Sequence, residues 1–269
     1  MKEITVHELK QIQLRLLKEL HDYCEKHDLH YYLTYGTLIG AIRHKGYIPW
    51  DDDIDVFMPR RDYNYLLNHF NQDVNDVMSI VSYELNTDYY LPFAKIIDNT
   101  TVMIEDVNSS FKLGVYIDVF PLDNLSDNYN DAKSIMKKAF RYNELLMLKN
   151  ITVNPKRKWY KNAVLLFGRL SCGLLSRKWI ISKINEQGDN QRDVFTKYVG
   201  VVTGISYGDE SRVFEAKWFE ERMVVPFEND KYYIPKGYDS FLRQLYGDYM
   251  VLPPKEMQES HHVFRAWYK

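Results

Sequence analysis

The sequence predicts an α+β fold: a mixed sheet early, helices in the middle, and a small C-terminal part that packs back. Three observations point there. β-Prone runs cluster before residue 121, at 31–35, 54–58, 78–85, 93–98 and 115–120. Helix-like stretches dominate from 129 to 187. Short β-prone pieces return at 198–203 and 223–227, beside one more helix pattern at 238–246.

Residues 5–27 read as an amphipathic helix. Thr5 and Glu8 form a Thr-x-x-Glu capping box, and Leu9, Ile12, Leu16 and Leu20 recur near helical spacing. The run Tyr31 to Tyr35 leads into Gly36. Residues 54–58 read as a buried strand closed by Pro59, and 60–70 as a helix. Residues 129–149 read as a helix broken by Asn154-Pro155, and 157–187 as helical again. A Pro253-Pro254 turn and a polar tail end the chain, and no repeat interrupts it. These patterns divide the chain into a core (1–150), a basic aromatic helical insertion (151–190) and a C-terminal segment (191–269).

A chain of 269 residues can bury a sizeable core. Its formal charge of -2 argues against a nucleic-acid binder. Cys24 and Cys172 lack metal-type spacing, which argues against a disulfide framework or a structural zinc site. Residues 1–10 are charged and lack an apolar signal core, and no run approaches the ~18 apolar residues that span a bilayer. The Asn-x-Ser/Thr sequons at Asn99, Asn108, Asn124 and Asn150 are then chance matches, and a reducing, cytoplasmic setting is expected.

The informative stretch is Pro49-Trp50-Asp51-Asp52-Asp53-Ile54-Asp55-Val56-Phe57-Met58-Pro59. Side chains alternate faces along extended backbone, so Asp51, Asp53 and Asp55 point one way and Ile54 and Val56 the other, into the core. Carboxylates gathered on one side of a strand repel, and burying a lone charge is costly. A hard divalent cation with oxygen ligands suits Asp53 and Asp55; the plain alternative is a solvated acidic turn. An EF-hand loop starting at Asp51 needs Gly and Glu where Val56 and Asp62 stand, so that loop is excluded.

Asp118, alone in the apolar run Val115 to Pro121, is a candidate third ligand or general base. Gly36-Thr37 precedes a helix start, where backbone amides and the Thr37 hydroxyl can cradle a phosphate. Arg43-His44-Lys45 follows, either a phosphate contact or a solvated helix end. Lys95 sits in Pro92 to Ile97, an apolar setting where it needs a partner: a diphosphate, or an acid of the fold itself.

The run from Tyr35 through Gly36-Thr37 and Arg43-His44-Lys45 to Asp53-Ile54-Asp55-Val56 resembles the signature of the LicD family of phosphorylcholine transferases, which includes the fukutin-related proteins that transfer ribitol phosphate. Cys24, Val115 to Pro121, and Tyr246 to Met250 with Pro253-Pro254 resemble further blocks of that family. The resemblance implies a nucleotidyltransferase-like fold of the DNA polymerase beta type. Gly36 and Thr37 would then match its turn, Asp53 and Asp55 its metal pair and Asp118 its third acid.

The same resemblance implies transfer of phosphocholine from CDP-choline to a sugar hydroxyl of a teichoic-acid-like cell-surface precursor, with release of CMP. Magnesium, one ion or two, with manganese as an alternative, would serve as cofactor. Asp118 would bind metal or take the acceptor proton, while Arg43 and Lys95 neutralise the diphosphate. The alternatives are a nucleotidyltransferase, a transferase of another CDP-linked alcohol such as ribitol phosphate, and a non-catalytic nucleotide- or sugar-binding module. His261 and His262 are either acceptor contacts or surface residues.

Between Glu144 and Glu186 every charged residue is basic: Lys149, Lys156, Arg157, Lys158, Lys161, Arg169, Arg177, Lys178 and Lys183. Trp159, Tyr160, Phe167 and Trp179 lie among them. Segment 156–183 is therefore either a docking face for an anionic membrane, which would suit a lipid-linked acceptor, or a solvated face over core-packing aromatics.

Overall fold

The computed structural model describes residues 2–105, 107–153, 158–171, 173–188, 195–204, 212–258 and 265–269. The first helix, α1 (Val6–His27), starts at the expected box: Thr5 Oγ1 accepts from the Glu8 amide at 3.2 Å, and Glu8 Oε2 from the Thr5 amide at 2.9 Å. Its apolar stripe, including Leu9, Leu16 and Leu20, is buried against the sheet.

The chain then lays down β1 (Tyr32–Leu33), α2 (Tyr35–Ile39) with a π-helical turn (Gly40–His44), β2 (Asp55–Pro59) and α3 (Arg60–Asp73). Strands β3 (Met78–Val81), β4 (Ala94–Asp98), β5 (Thr101–Ile104) and β6 (Tyr116–Ser126) follow. The main sheet has the order β1-β2-β6-β4-β3. Its central pair, β2 and β6, is parallel, and the flanking pairs are antiparallel. Val56, Phe57 and Met58 are all fully buried. A central strand covered on both faces reads as a continuous apolar run, which is why 54–58 lacks simple alternation.

Strand β6 runs beyond the expected 115–120 and through Pro121. On one side it pairs with β4 over Tyr116–Val119, then with β7 (Tyr198–Gly200) over Asp123–Ser126. Pro121 falls between the two ladders, where its missing N–H forfeits no bond on that side.

Helices α4 (Tyr129–Asn150), α5 (Trp159–Ser171) and α6 (Arg177–Asn185) follow. The single helical stretch expected at 157–187 is thus two helices. Ser176 caps the second, its Oγ accepting from the Trp179 amide at 3.1 Å. After β7 come β8 (Phe214–Glu215), β9 (Arg222–Phe227), β10 (Asp230–Pro235), α7 (Tyr238–Tyr246) and β11 (Arg265–Tyr268). β9 and β10 form a hairpin whose turn residue Glu228 takes a φ of 53°. The polar tail ends as a strand rather than a loose end: β11 pairs with β5, and its Ala266 carbonyl accepts from the Ile4 amide at 2.8 Å. Backbone bonding to two separate segments, which no side-chain pattern encodes, builds this strand. No described helix is long and apolar enough to cross a membrane.

Candidate active site

The register of the sheet brings the predicted acids together. Asp55 on β2 lies opposite Asp118 on β6, and Lys95 on β4 lies opposite Asp118 from the other side. Paired strands run ~4.8 Å apart, so side chains in one row share a face and meet. Lys95 Nζ stands 2.5 Å from Asp118 Oδ1 and 3.3 Å from the centre of the Tyr116 ring. Of the two readings of Lys95 the structure shows the ion pair: its partner is an acid of the fold, Asp118, the candidate third carboxylate. Upstream, the expected alternation holds. Asp51, Asp53 and Asp55 keep partly open surfaces, while Asp52, Ile54 and Val56 are buried.

Negative charge exceeds positive charge in this row. Burial pushes the Asp55 carboxyl well above its ordinary range; Asp53, Asp118 and Asp51 push it further, and Lys95 opposes them. Burial also raises Asp118, which Lys95 pulls back and Asp53 and Glu105 push up, leaving it at about 6. Among the described residues, no three acidic, histidine or cysteine side chains form a ready-made metal cage. Magnesium needs less: it takes one or two carboxylates and completes its shell with water and substrate phosphate. Two like-charged, partly open carboxylates with oxygen donors fit that demand.

The Gly36-Thr37 turn is built into the acidic strand. Thr37 Oγ1 accepts from the Asp55 amide at 2.9 Å, which fixes the start of β2. A Cβ on Gly36 would stand 2.5 Å from Asp51 Oδ2, so glycine lets the acidic loop approach the turn. Tyr35, just before, takes a left-handed φ of 47°, a strained state for a bulky residue.

Arg43 and His44 lie on the π-helical turn, beside the acidic loop rather than in the row. Arg43 Nη1 donates to the carbonyls of Tyr249 at 2.6 Å and Val251 at 3.3 Å, and Nε donates to His44 Nε2 at 2.9 Å. Arg43 therefore clamps the Tyr249–Val251 segment onto the turn. The His44 ring meets Trp50 edge-on, 6.3 Å between centres. His261 and His262 lie outside the described residues, as do Lys156, Arg157 and Cys172.

Sequence reasoning missed two side chains here, and one cavity. Arg212 Nη1 lies 3.3 Å from the Tyr35 hydroxyl, and Arg212 and Asp55 act in opposite senses on the Tyr246 hydroxyl. Arg212 is thus a cation of the site, and no motif surrounds it. Glu105, just past β5, accepts from the hydroxyls of both Tyr90 and Tyr116. The 22 tyrosines of the chain were its only sequence signal. A cavity of about 660 Å³ lies apart from the acids, at the opposite ends of β2 and β6, where Pro59, Arg60, Leu122 and Asn124 line it.

Residues 28–159, which hold the whole row, match the family described as LicD/FKTN/FKRP, nucleotidyltransferase domain. The chain is 32% identical over 272 residues to a protein of Haemophilus influenzae named lipopolysaccharide cholinephosphotransferase LicD, covering 99% of each chain. Shorter likenesses join it to uncharacterized proteins of Rickettsia typhi, 36% identical over 75 residues (26% of this chain and 24% of that one), and Rickettsia prowazekii, 40% over 52 (19% and 20%). The acidic row and the end-to-end likeness lead to one conclusion: the chain belongs to the LicD/FKTN/FKRP family, and it is an enzyme of the transferase class.

Proposed function

We propose that this protein transfers phosphocholine from CDP-choline to a sugar hydroxyl of a cell-surface glycopolymer precursor and releases CMP. The observation that carries the proposal is the in-register row Asp55–Asp118–Lys95, with Asp53 leading into it. The full-length relative named for cholinephosphate transfer supports the choice of group. The nucleotidyltransferase-like core would be of the DNA polymerase beta type, spanning residues 1–150, with 151–190 inserted and 191–269 packed back.

Asp53 and Asp55, with Asp118, would hold one or two divalent ions, magnesium or manganese. When bound, such ions neutralise the diphosphate and stabilise the entering and leaving oxygens. The chain's own residues do the rest. The acceptor oxygen attacks the phosphorus that carries choline, the bond from that phosphorus to the oxygen of CMP breaks, and CMP leaves with the electron pair. Where Asp118 is not itself a metal ligand, it takes the acceptor proton. Lys95 holds Asp118 in place and faces the diphosphate charge. Arg212, beside Tyr35, supplies a second cation. Gly36 and Thr37 present the turn to a phosphate, and Arg43 with His44 shapes that turn by holding Tyr249–Val251.

The test is incubation of the purified protein with CDP-choline, magnesium and glycan acceptors, scoring CMP. Metal-dependent release that disappears in both Asp53→Asn and Asp55→Asn supports the proposal; variants as active as wild type would remove these residues from the site. The matched family's description favours one second reading, nucleotidyl transfer. In that case CMP joins the acceptor and phosphocholine is released, so analysis of the products separates the two. CDP-ribitol in place of CDP-choline tests the alcohol.

A further inference from the structure

Helix α5 is mounted with its apolar side outward. Residues three or four apart share a helix face. Leu165, Gly168 and Arg169 form the face that meets the protein. Leu165 is buried, a Cβ on Gly168 would stand 3.5 Å from Leu148, and Arg169 Nε donates to the Leu148 carbonyl at 2.9 Å. Another arc carries Trp159, Tyr160, Val164 and Phe167. Trp159 is 81% exposed, Phe167 73%, Val164 68% and Tyr160 46%. In the segment that follows, Leu174 is fully exposed and Trp179 41% exposed. Trp159 and Phe167 lie mostly in water rather than in the core, against the plain reading of the segment. Arg177 locks α6 to the same support, its Nε donating to Asn150 Oδ1 at 3.1 Å, so the orientation is held from both helices.

Charge identifies what covers this arc. From Leu145 to Asn185 the chain has basic residues and no acidic ones. Lys158, Lys161 and Lys178 are exposed around the apolar arc. A second copy docked by two-fold symmetry would set two such basic faces against each other. An anionic surface that also accepts aromatic rings suits both properties, and Trp and Tyr favour the boundary between lipid headgroups and hydrocarbon. We propose that α5 and the segment through Trp179 dock this protein on the surface of an anionic lipid bilayer. Docking is separate from the catalytic proposal and stands or falls without it.

The experiment is co-sedimentation of the full chain with phosphatidylcholine vesicles and with vesicles half phosphatidylglycerol, at low salt and at ~0.5 M salt. Wild type is expected to pellet with the anionic vesicles, to be released by salt and to stay in solution with the neutral ones. Lys158→Gln/Lys161→Gln/Lys178→Gln should weaken anionic binding on the order of a hundredfold. Trp159→Ala/Phe167→Ala should weaken it at least about tenfold and shrink the tryptophan fluorescence shift on binding, leaving the share that comes from Trp179. Both variants should keep the wild-type melting temperature and CMP release with a soluble acceptor, since these side chains face away from the fold. Three results would each overturn the proposal: no binding by wild type, equal binding by wild type and both variants, or a dimer in solution that Trp159→Ala/Phe167→Ala dissociates without any vesicle binding.

Discussion

The acidic row and helix α5 break the same rule in opposite directions. In the row, charge sits in the packed sheet: Asp55, Asp118 and Lys95 occupy central strands flanked by fully buried Val56, Val119 and Ala94. On α5, large apolar groups sit in water, with Trp159 and Phe167 outermost. Buried charge and exposed aromatic surface both cost free energy in the isolated chain, and both are the informative exceptions in a folded protein. Each region has the surface that its proposed partner would satisfy. The row has more carboxylate than cation and suits a metal with a diphosphate. The helix has hydrocarbon framed by ammonium groups and suits an anionic interface. What differs is the support: the row is held by strand register on both sides, the helix by a few contacts at the end of α4.

The largest effect expected is at Asp55. Asp55→Asn should lower CMP release by about a thousandfold, about 4 kcal/mol of lost transition-state stabilisation. It should also raise the melting temperature of the metal-free protein, because the amide keeps the shape and removes repulsion from Asp53 and Asp118. Magnesium should then raise the melting temperature of wild type but not of the variant. Calorimetry with and without metal checks all of this, and a variant that melts lower while staying active would break the contrast between the two regions.

Next is the ion pair beside it. Lys95→Met leaves Asp118 with no cation at 2.5 Å in a nearly closed site, so unfolding free energy should drop by about 3–5 kcal/mol. Adding Asp118→Asn should restore much of that stability and none of the activity. Urea unfolding of the two variants tests this, and a double variant no more stable than Lys95→Met would show that the pair does not act as a unit.

The sequence made the individual residues of the row visible but not the row itself. Asp53, Asp55 and Asp118 stood out because acids in apolar runs are rare, and Lys95 for the same reason. Their alignment depends on register between strands distant in sequence, 23 residues between Lys95 and Asp118 and more between Asp55 and Asp118, with β2 parallel to β6, and a parallel pair leaves no turn to read. Arg212 was invisible because it meets the site through Tyr35, far away in sequence. α1, with its cap and its stripe, was legible end to end because every determinant is local. The split between α5 and α6 was not, since apolar spacing continues across Gly173 while the cap at Ser176 ends it. The outward mounting of α5 was hidden for a related reason: apolar periodicity tells that a face is apolar, not what it faces.

A smaller effect is expected at the turn. Thr37→Val removes the acceptor of the Asp55 amide in a buried position and should cost about 1–3 kcal/mol. Because that bond fixes the start of β2, activity should fall further than stability alone explains at a temperature where the variant is fully folded. Thr37→Ser should restore both.

The smallest effect expected lies on α5, and it tests the comparison most directly. Trp159→Ala removes the larger side chain yet should change stability by no more than about 0.5 kcal/mol, since most of its surface is already in water. Leu165→Ala, six residues along, removes the smaller side chain and should cost about 2–3 kcal/mol, because Leu165 is buried against the body of the protein. Thermal melts of the two variants read the orientation of the helix without any membrane present. The reverse order, with the tryptophan variant the less stable, would mean that α5 packs its aromatic arc inward, and the contrast between the two regions would disappear.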